Sequence, residues 1–179
     1  MKRVALFLDR DGTLIRNEPY RDTPRGMKLL PNVARGLKSW VKSGFVPVIV
    51  TNQSGIARGL ITRKGLELIH VRLLKLLKSR GVNVAAIYVC PHLPDGNVQK
   101  YARRCDCRKP KPGLLKRAAR ELRLELRNSV TIGDSPRDVE AGRKAGTHAI
   151  LLGRDARDLL DAFRRFNSRH LQSVIRDRE

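Results

Sequence analysis

The strongest constraint in this chain is a set of short, almost wholly apolar runs, three of which break off on polar clusters. Val4–Leu8 ends at Asp9-Arg10-Asp11-Gly12, Val46–Val50 at Thr51-Asn52, and Val130–Gly133 at Asp134. Ala85–Val89 and Ala149–Leu152 are of the same kind. Runs that are apolar throughout, without alternation, read as strands buried on both faces, which is the habit of parallel sheets. Helical spacing fills the intervals. Val33–Lys42 places Val33, Leu37, Trp40 and Val41 on one face and meets Gly44 as its stop. Thr62 can cap a helix carrying Leu66, Ile69, Leu73, Leu76 and Leu77, stopped by Gly81. Leu114–Leu126 and Val139–Ala145 follow, and Asp155 is placed to cap a last helix lined by Leu159, Leu160, Phe163, Phe166, Leu171 and Val174. Strands alternating with helices imply an α/β fold, a central parallel sheet with helices on both faces. Ligands in such sheets bind beyond the carboxyl ends of the strands, where the three polar clusters fall.

The 179 residues carry no repeat or linker, so one domain spanning 1–179 is expected. An apolar fraction of 41% supports a packed core and excludes a disordered chain. No apolar run approaches the roughly 20 residues of a membrane-spanning helix. Asp9, Arg10 and Asp11 interrupt what otherwise begins like a signal peptide, so a soluble, cytoplasmic protein is expected. No coiled-coil pattern demands a partner, and a monomer is expected. The net charge of +21 predicts attraction to anions. With only eight aromatic residues there is no basic stripe interleaved with stacking side chains, as a nucleic-acid surface would show. A small anionic molecule is therefore the expected main partner. Nucleic-acid binding stands as the alternative from a different functional class.

Asp9 and Asp11, two residues apart in a basic chain, need a reason to stay charged, and a hard cation supplies one. Mg²⁺ favours oxygen ligands, and Asp134 can complete a set with Asp9 and Asp11, with Asp138 one turn on in support. The cysteines are only three, with two separated by a single residue, which argues against a disulfide framework. Cys90-Pro91-His92, a 12-residue spacer and Cys105-Asp106-Cys107 give three thiolates and an imidazole. That set suits a closed, tetrahedral, structural Zn²⁺ site holding a loop over 90–107. His148 falls in a strand, His170 in the last helix, and His70 beside an apolar helical stripe, so His92 is the histidine placed to bind.

Asp9-x-Asp11-Gly12-Thr13, Thr51-Asn52-Gln53-Ser54, Lys109 and Gly133-Asp134-Ser135-x-x-Asp138 resemble, in order, the four motifs of the haloacid-dehalogenase (HAD) superfamily of phosphatases. The resemblance covers residues 4–153 and implies a Rossmann-like HAD fold. Only about 40 residues separate the first two motifs, which implies a minimal cap. It further implies that Asp9 is the nucleophile and Asp11 the general acid and base, with Thr51 and Lys109 holding the phosphoryl oxygens and Mg²⁺ as cofactor. The Cys/His set followed by Arg108-Lys109-Pro110 narrows the resemblance to the heptose bisphosphate 7-phosphatases and the related histidinol-phosphate phosphatases. Asn52–Gly59 and the 12-residue spacer are similar to the heptose enzymes, so hydrolysis of D-glycero-D-manno-heptose 1,7-bisphosphate at C7 is the expected activity. Histidinol phosphate or another small ester is the alternative. By position, Tyr20, Asn52, Gln53, Ser54 and Arg108 match substrate-contacting segments, and Arg58 with Arg108 is expected to favour a second anionic group. Ser135 stands where the heptose enzymes have Lys, and Asn17-Glu18-Pro19-Tyr20 replaces their Asp-His-Gly-Tyr.

Overall fold

The computed structural model describes the backbone of residues 3–176 and the side chains of residues 3–168. Its strands are β1 (Arg3–Leu8), β2 (Phe45–Asn52), β3 (Ala86–Cys90), β4 (Leu124–Gly133) and β5 (His148–Leu151). The helices are α1 (Val33–Lys42), α2 (Arg63–Lys78), α3 (Gly113–Leu122), α4 (Pro136–Ala145) and α5 (Leu159–Arg176). Among the described residues the strands form one parallel sheet in the order β3-β2-β1-β4-β5. All five point the same way, so their carboxyl ends share one edge, with Asp9 leaving the central strand. None of the described helices is long and apolar enough to cross a membrane.

Each face of the sheet has its own core. On one, Leu6, Leu8, Ile49 and Ile132 meet Leu37 and Trp40 of α1, Ile69, Leu73 and Leu77 of α2, and Leu159 and Ala162 of α5. On the other, Ala5, Phe7, Val48 and Val50 meet Leu114, Leu115, Ala118 and Ala119 of α3 and Ala141 and Ala145 of α4. Consecutive residues from Ala5 to Leu8 thus feed opposite cores, which is why β1 has no polar position after the exposed Arg3. Trp40 packs edge-on to Phe45 at 4.9 Å and to Phe163 at 5.4 Å, and donates its indole N–H to the Leu159 carbonyl. A Cβ on Gly36 would lie 2.6 Å from the Leu159 carbonyl carbon, so α1 and α5 meet nearly backbone to backbone there.

Several boundaries differ from those expected. Gly36 takes the buried position beside Leu37 and Trp40, and Val41 turns to solvent at 43% exposure. The third helix stops at Leu122 and not Leu126, because Arg123 adopts a left-handed conformation (φ 53°) and Leu124 and Glu125 pair with Arg3 and Val4. Ser129 accepts the Ala5 N–H at 2.8 Å where the register of that pairing shifts. The fourth helix opens earlier, at Pro136. The last helix is capped by Asp158 and not Asp155: Asp158 Oδ1 accepts from the N–H groups of Leu160 and Asp161, both at 2.9 Å. Asp155 instead accepts the Leu151 N–H. The expected contributions of Leu171 and Val174, and the place of the His170 side chain, lie outside the described residues.

Candidate active site

Asp9 follows the last residue of β1, and its N–H bonds to the Ile132 carbonyl of β4. Lys109 reaches it from the long connection between β3 and α3. Its ammonium lies 2.7 Å from Asp9 Oδ1, 2.7 Å from Asp138 Oδ1 and 2.7 Å from the Val50 carbonyl oxygen, with the side chain 1% exposed. Burial works against the charged lysine, but the two carboxylates outweigh it and hold the Lys109 pKa above its ordinary value. Burial pushes the Asp9 carboxyl up to about 6 and Asp138 adds to this, while Lys109 pulls it down. Asn52 fixes the peptide that carries Lys109, since its amide donates to the Lys109 carbonyl at 3.0 Å and accepts the Lys109 N–H at 3.1 Å.

Carboxylate oxygens of Asp9, Asp134 and Asp138 lie within 4.8 Å of one another. Burial and the charge of Asp138 raise the pKa of Asp134. Gly12 permits this approach, because a Cβ there would sit 2.0 Å from Asp134 Oδ2 and the backbone has φ +80°. Three carboxylates face one ammonium, an imbalance that fits a hard divalent cation bound by oxygen. Asp138 Oδ2 accepts the Ser135 N–H at 3.1 Å, so its carboxylate is already shared between Lys109 and the start of α4.

Asp11 was expected to join Asp9 and Asp134 around the cation; the carboxylates that cluster with theirs include Asp138 in its place, and the Asp11 side chain is engaged elsewhere. The chain turns after β1, with the Leu14 and Ile15 N–H groups both bonding to the Arg10 carbonyl, and the Asp11 side chain points elsewhere. Its Oδ2 accepts from Arg10 Nε at 3.0 Å, Arg10 Nη2 at 2.7 Å and Gln53 Nε2 at 2.9 Å. Its Oδ1 is buried without a protein partner. Gln53 also donates to Thr51 Oγ1 at 2.9 Å, so the threonine hydroxyl proton is free to be given to a ligand. On the far side of Arg10, Nη1 lies 3.2 Å from His70 Nε2. Burial and the arginine charge lower the His70 pKa to about 4. Arg10 and His70 carried no functional weight in the sequence. Arginine is too common here, and the histidine is 60 residues away in the chain.

A cavity of about 300 Å³ opens over this floor. Its lining brings together Asp9, Asp11, Tyr20, Thr51, Asn52, Gln53, Ser54, Arg108, Lys109 and Asp134, whereas Thr13, Ser135 and Asp138 of the motifs lie outside it. Arg137, which was not anticipated, joins them, whereas Arg58 is absent from the lining. The segment bearing Tyr20 is pinned by Arg21, which pairs with Glu18 and donates to the Arg25 carbonyl. The Asn52 and Gln53 amides are occupied with Lys109 and Asp11, so these residues shape the wall by holding other groups.

Beside the cavity, Cys90, His92, Cys105 and Cys107 converge. The Sγ···Sγ separations are 3.2, 3.3 and 3.6 Å, and His92 Nδ1 lies 3.3 Å from Cys107 Sγ. A tetrahedral zinc with Zn–S bonds of about 2.3 Å has S···S edges of about 3.8 Å, close to this spacing. The three cysteines form no disulfide. Burial pushes the Cys90 thiol up and, with the Arg103 guanidinium nearby, keeps the His92 imidazole below its usual range. Arg108 extends from the same loop and donates to the His92 carbonyl at 3.2 Å.

The HAD-hydrolase-like family profile matches residues 106–172. The D-glycero-beta-D-manno-heptose-1,7-bisphosphate 7-phosphatase of Yersinia pestis is 38% identical over 149 residues, 82% of this chain and 79% of that one. A Photorhabdus laumondii enzyme named for the alpha anomer is 36% identical over 145 residues, 81% of this chain and 79% of the other. Among solved structures, a D,D-heptose 1,7-bisphosphate phosphatase from B. bronchiseptica, complexed with magnesium and phosphate, superposes with a TM-score of 0.79 at 29% identity. That alignment covers 93% of this chain and 99% of the other.

Proposed function

The chain belongs to the HAD-like phosphatases, and from that premise we propose that it hydrolyses D-glycero-D-manno-heptose 1,7-bisphosphate at C7. The observation that carries the reading is the Asp9–Lys109–Asp138 cluster at the floor of a polar cavity, with Asp11 held separately beside it. Separation of the two aspartates divides the labour. An Asp9 oxygen attacks phosphorus and the bond from phosphorus to the sugar oxygen breaks, leaving an aspartyl-phosphate. Asp11 gives its proton to the departing oxygen, then takes one from the water that hydrolyses the aspartyl-phosphate. The Thr51 hydroxyl and Lys109 ammonium donate to the phosphoryl oxygens. Lys109 is thereby shared between nucleophile and electrophile, offsetting repulsion between a carboxylate and a phosphate dianion.

Asp9 and Asp134, supported by Asp138, fit Mg²⁺. Bound there, the ion supplies further positive charge for the phosphoryl group. Cys90, His92, Cys105 and Cys107 fit Zn²⁺ in a four-ligand site with no open position, which fixes the loop carrying Arg108 and Lys109. The protein works as a single domain and a monomer in the cytoplasm. Arg108 and Arg137 at the cavity wall favour a substrate with a second phosphate.

Relative kcat/KM for the β and α anomers of the heptose bisphosphate, the heptose 7-phosphate and histidinol phosphate tests the substrate. We expect a bisphosphate to lead, and its advantage to shrink as salt rises. Histidinol phosphate turned over ten times more efficiently than any sugar bisphosphate would overturn the heptose reading and leave the phosphatase reading standing.

A further inference from the structure

His70 and Arg10 have no part in the steps above, yet they contact the acid. Arg10 is 2% exposed, and its bidentate grip places two charge-assisted bonds on one oxygen of Asp11. With Gln53 added, Oδ2 takes three donors and Oδ1 takes none from the protein. When such a carboxyl serves as the acid, Oδ1 is the oxygen left to carry the proton, because Oδ2 is filled by its three donors. The orientation of the acid therefore depends on the orientation of the guanidinium.

A buried guanidinium needs partners for its outer nitrogens as well. Arg10 Nη1 meets His70 Nε2, and His70 sits on α2 between Leu66, Ile69, Leu73 and Leu77, all buried. His70 also lines a small cavity with Ile56, Leu66, Val89, Pro91 and Tyr101, and with the charged Arg63 and Glu67. The ring is half-buried, flanked by the buried leucines and Ile69 of α2, and Nε2 is the atom it presents to Arg10. With its pKa near 4 it is neutral at working pH, so a lone pair on Nε2 requires the proton on Nδ1.

We propose that His70 is a positioning residue, accepting from Arg10 so that the guanidinium holds Asp11 with its protonated oxygen free for the leaving group. The proposal rests on the reading of Asp11 as the acid. Without His70, Nη1 loses its partner, the guanidinium is free to tilt toward other acceptors, and the two oxygens of Asp11 cease to be distinguished.

The test compares kcat/KM, which reports the steps through departure of the leaving group, for a sugar phosphate and for p-nitrophenyl phosphate. The nitrophenolate leaves without a proton; the sugar alkoxide does not. His70→Leu should lower the sugar value by about tenfold or more and the aryl value by no more than about twofold, a partial loss of what general acid catalysis contributes. His70→Gln, which sets an amide oxygen near the place of Nε2, should restore most of the sugar activity. In the unaltered protein, imidazole ¹⁵N shifts should show His70 protonated on Nδ1. Equal losses on both esters, no loss on either, or a proton on Nε2 would overturn the proposal. Asp11→Asn separates the two claims. If it discriminates between the esters and His70→Leu does not, only the His70 proposal falls. If Asp11→Asn fails to discriminate, the acid reading itself is wrong.

Discussion

Replacing Lys109 with Met removes a single positive charge from between two carboxylates while nearly conserving length and volume. The ammonium lies 2.7 Å from an oxygen of each of Asp9 and Asp138, and water reaches almost none of it. Removing one partner of a buried ion pair typically costs about 3–5 kcal/mol, because the remaining charge is left uncompensated. Here titration sets a ceiling on the loss. Asp9 already has a pKa near 6, and without Lys109 it moves further up, so at neutral pH one carboxyl takes a proton and avoids the full penalty. We therefore expect about 3 kcal/mol at pH 7 in the absence of divalent cations, read from urea unfolding midpoints at constant m. A carboxyl whose folded pKa is raised contributes stability below its unfolded value of 3.8 and loses it as pH rises through the folded one. That window reaches higher in the variant, so its deficit against the parent should narrow on going from pH 7 to pH 5. Adding Asp138→Asn should recover about 1–2 kcal/mol, since the two sites are in contact and couple. A loss below about 1 kcal/mol for Lys109→Met, or an Asp138→Asn effect that adds to it, would refute the charge-sharing argument.

Asp9→Asn should abolish detectable turnover of every phosphoester tested while leaving the circular dichroism spectrum unchanged; near-normal kcat on any of them would remove Asp9 from the nucleophile's role. Cys107→Ala should reduce bound zinc well below the one per chain expected by metal analysis, and protease should then cut within residues 91–109. Gly36→Ala pushes a methyl group to 2.6 Å from the Leu159 backbone and should cost about 1–3 kcal/mol, seen as a lower melting temperature. His70, lowered from 6.5 to about 4, contributes stability that is present above pH 6.5 and lost as pH falls toward 4. The loss should be about 2–3 kcal/mol, and His70→Gln should flatten that part of the stability profile.

Much of the site was readable because its parts fall at strand ends. Once Val4–Leu8, Val46–Val50 and Val130–Gly133 are taken as parallel strands, Asp9, Thr51 and Asp134 must share an edge. Lys109 needed the family resemblance, since no periodicity reveals that a lysine from a proline-containing loop will be buried. What stayed hidden depends on side-chain direction and on distant partners. Two residues apart in a strand, Asp9 and Asp11 would face the same way. The strand ends at Leu8, though, and the turn hands Asp11 to Arg10 and Gln53. The helix stop at Arg123 was unreadable for another reason: nothing marks an arginine as left-handed, although the spacing of Leu124 and Leu126 suits a strand as well as a helix. Val41 lies four residues after Leu37 and Gly36 four before Trp40, so helical spacing admits either to the buried face. Only the approach of α5 makes the smaller residue the inward one.

The placement of Lys109 separates inactivation from unfolding. It stands two residues beyond Cys107, on a connection with no helix or strand of its own between Cys90 and Gly113. Two fastenings hold it: the thiol and imidazole cluster upstream, and the paired amide of Asn52 on β2. Cys90 also belongs to the core under α3 and α4, with Cys105 and Cys107 packed against it, whereas Asn52 lies outside both cores. On the reading proposed above, a chelator or a thiol oxidant should first free the loop that carries Lys109, and with it the counter-charge of Asp9, ahead of unfolding of the sheet. Activity is accordingly expected to decline before the calorimetric melt does, because a loop opens at lower free energy than the sheet.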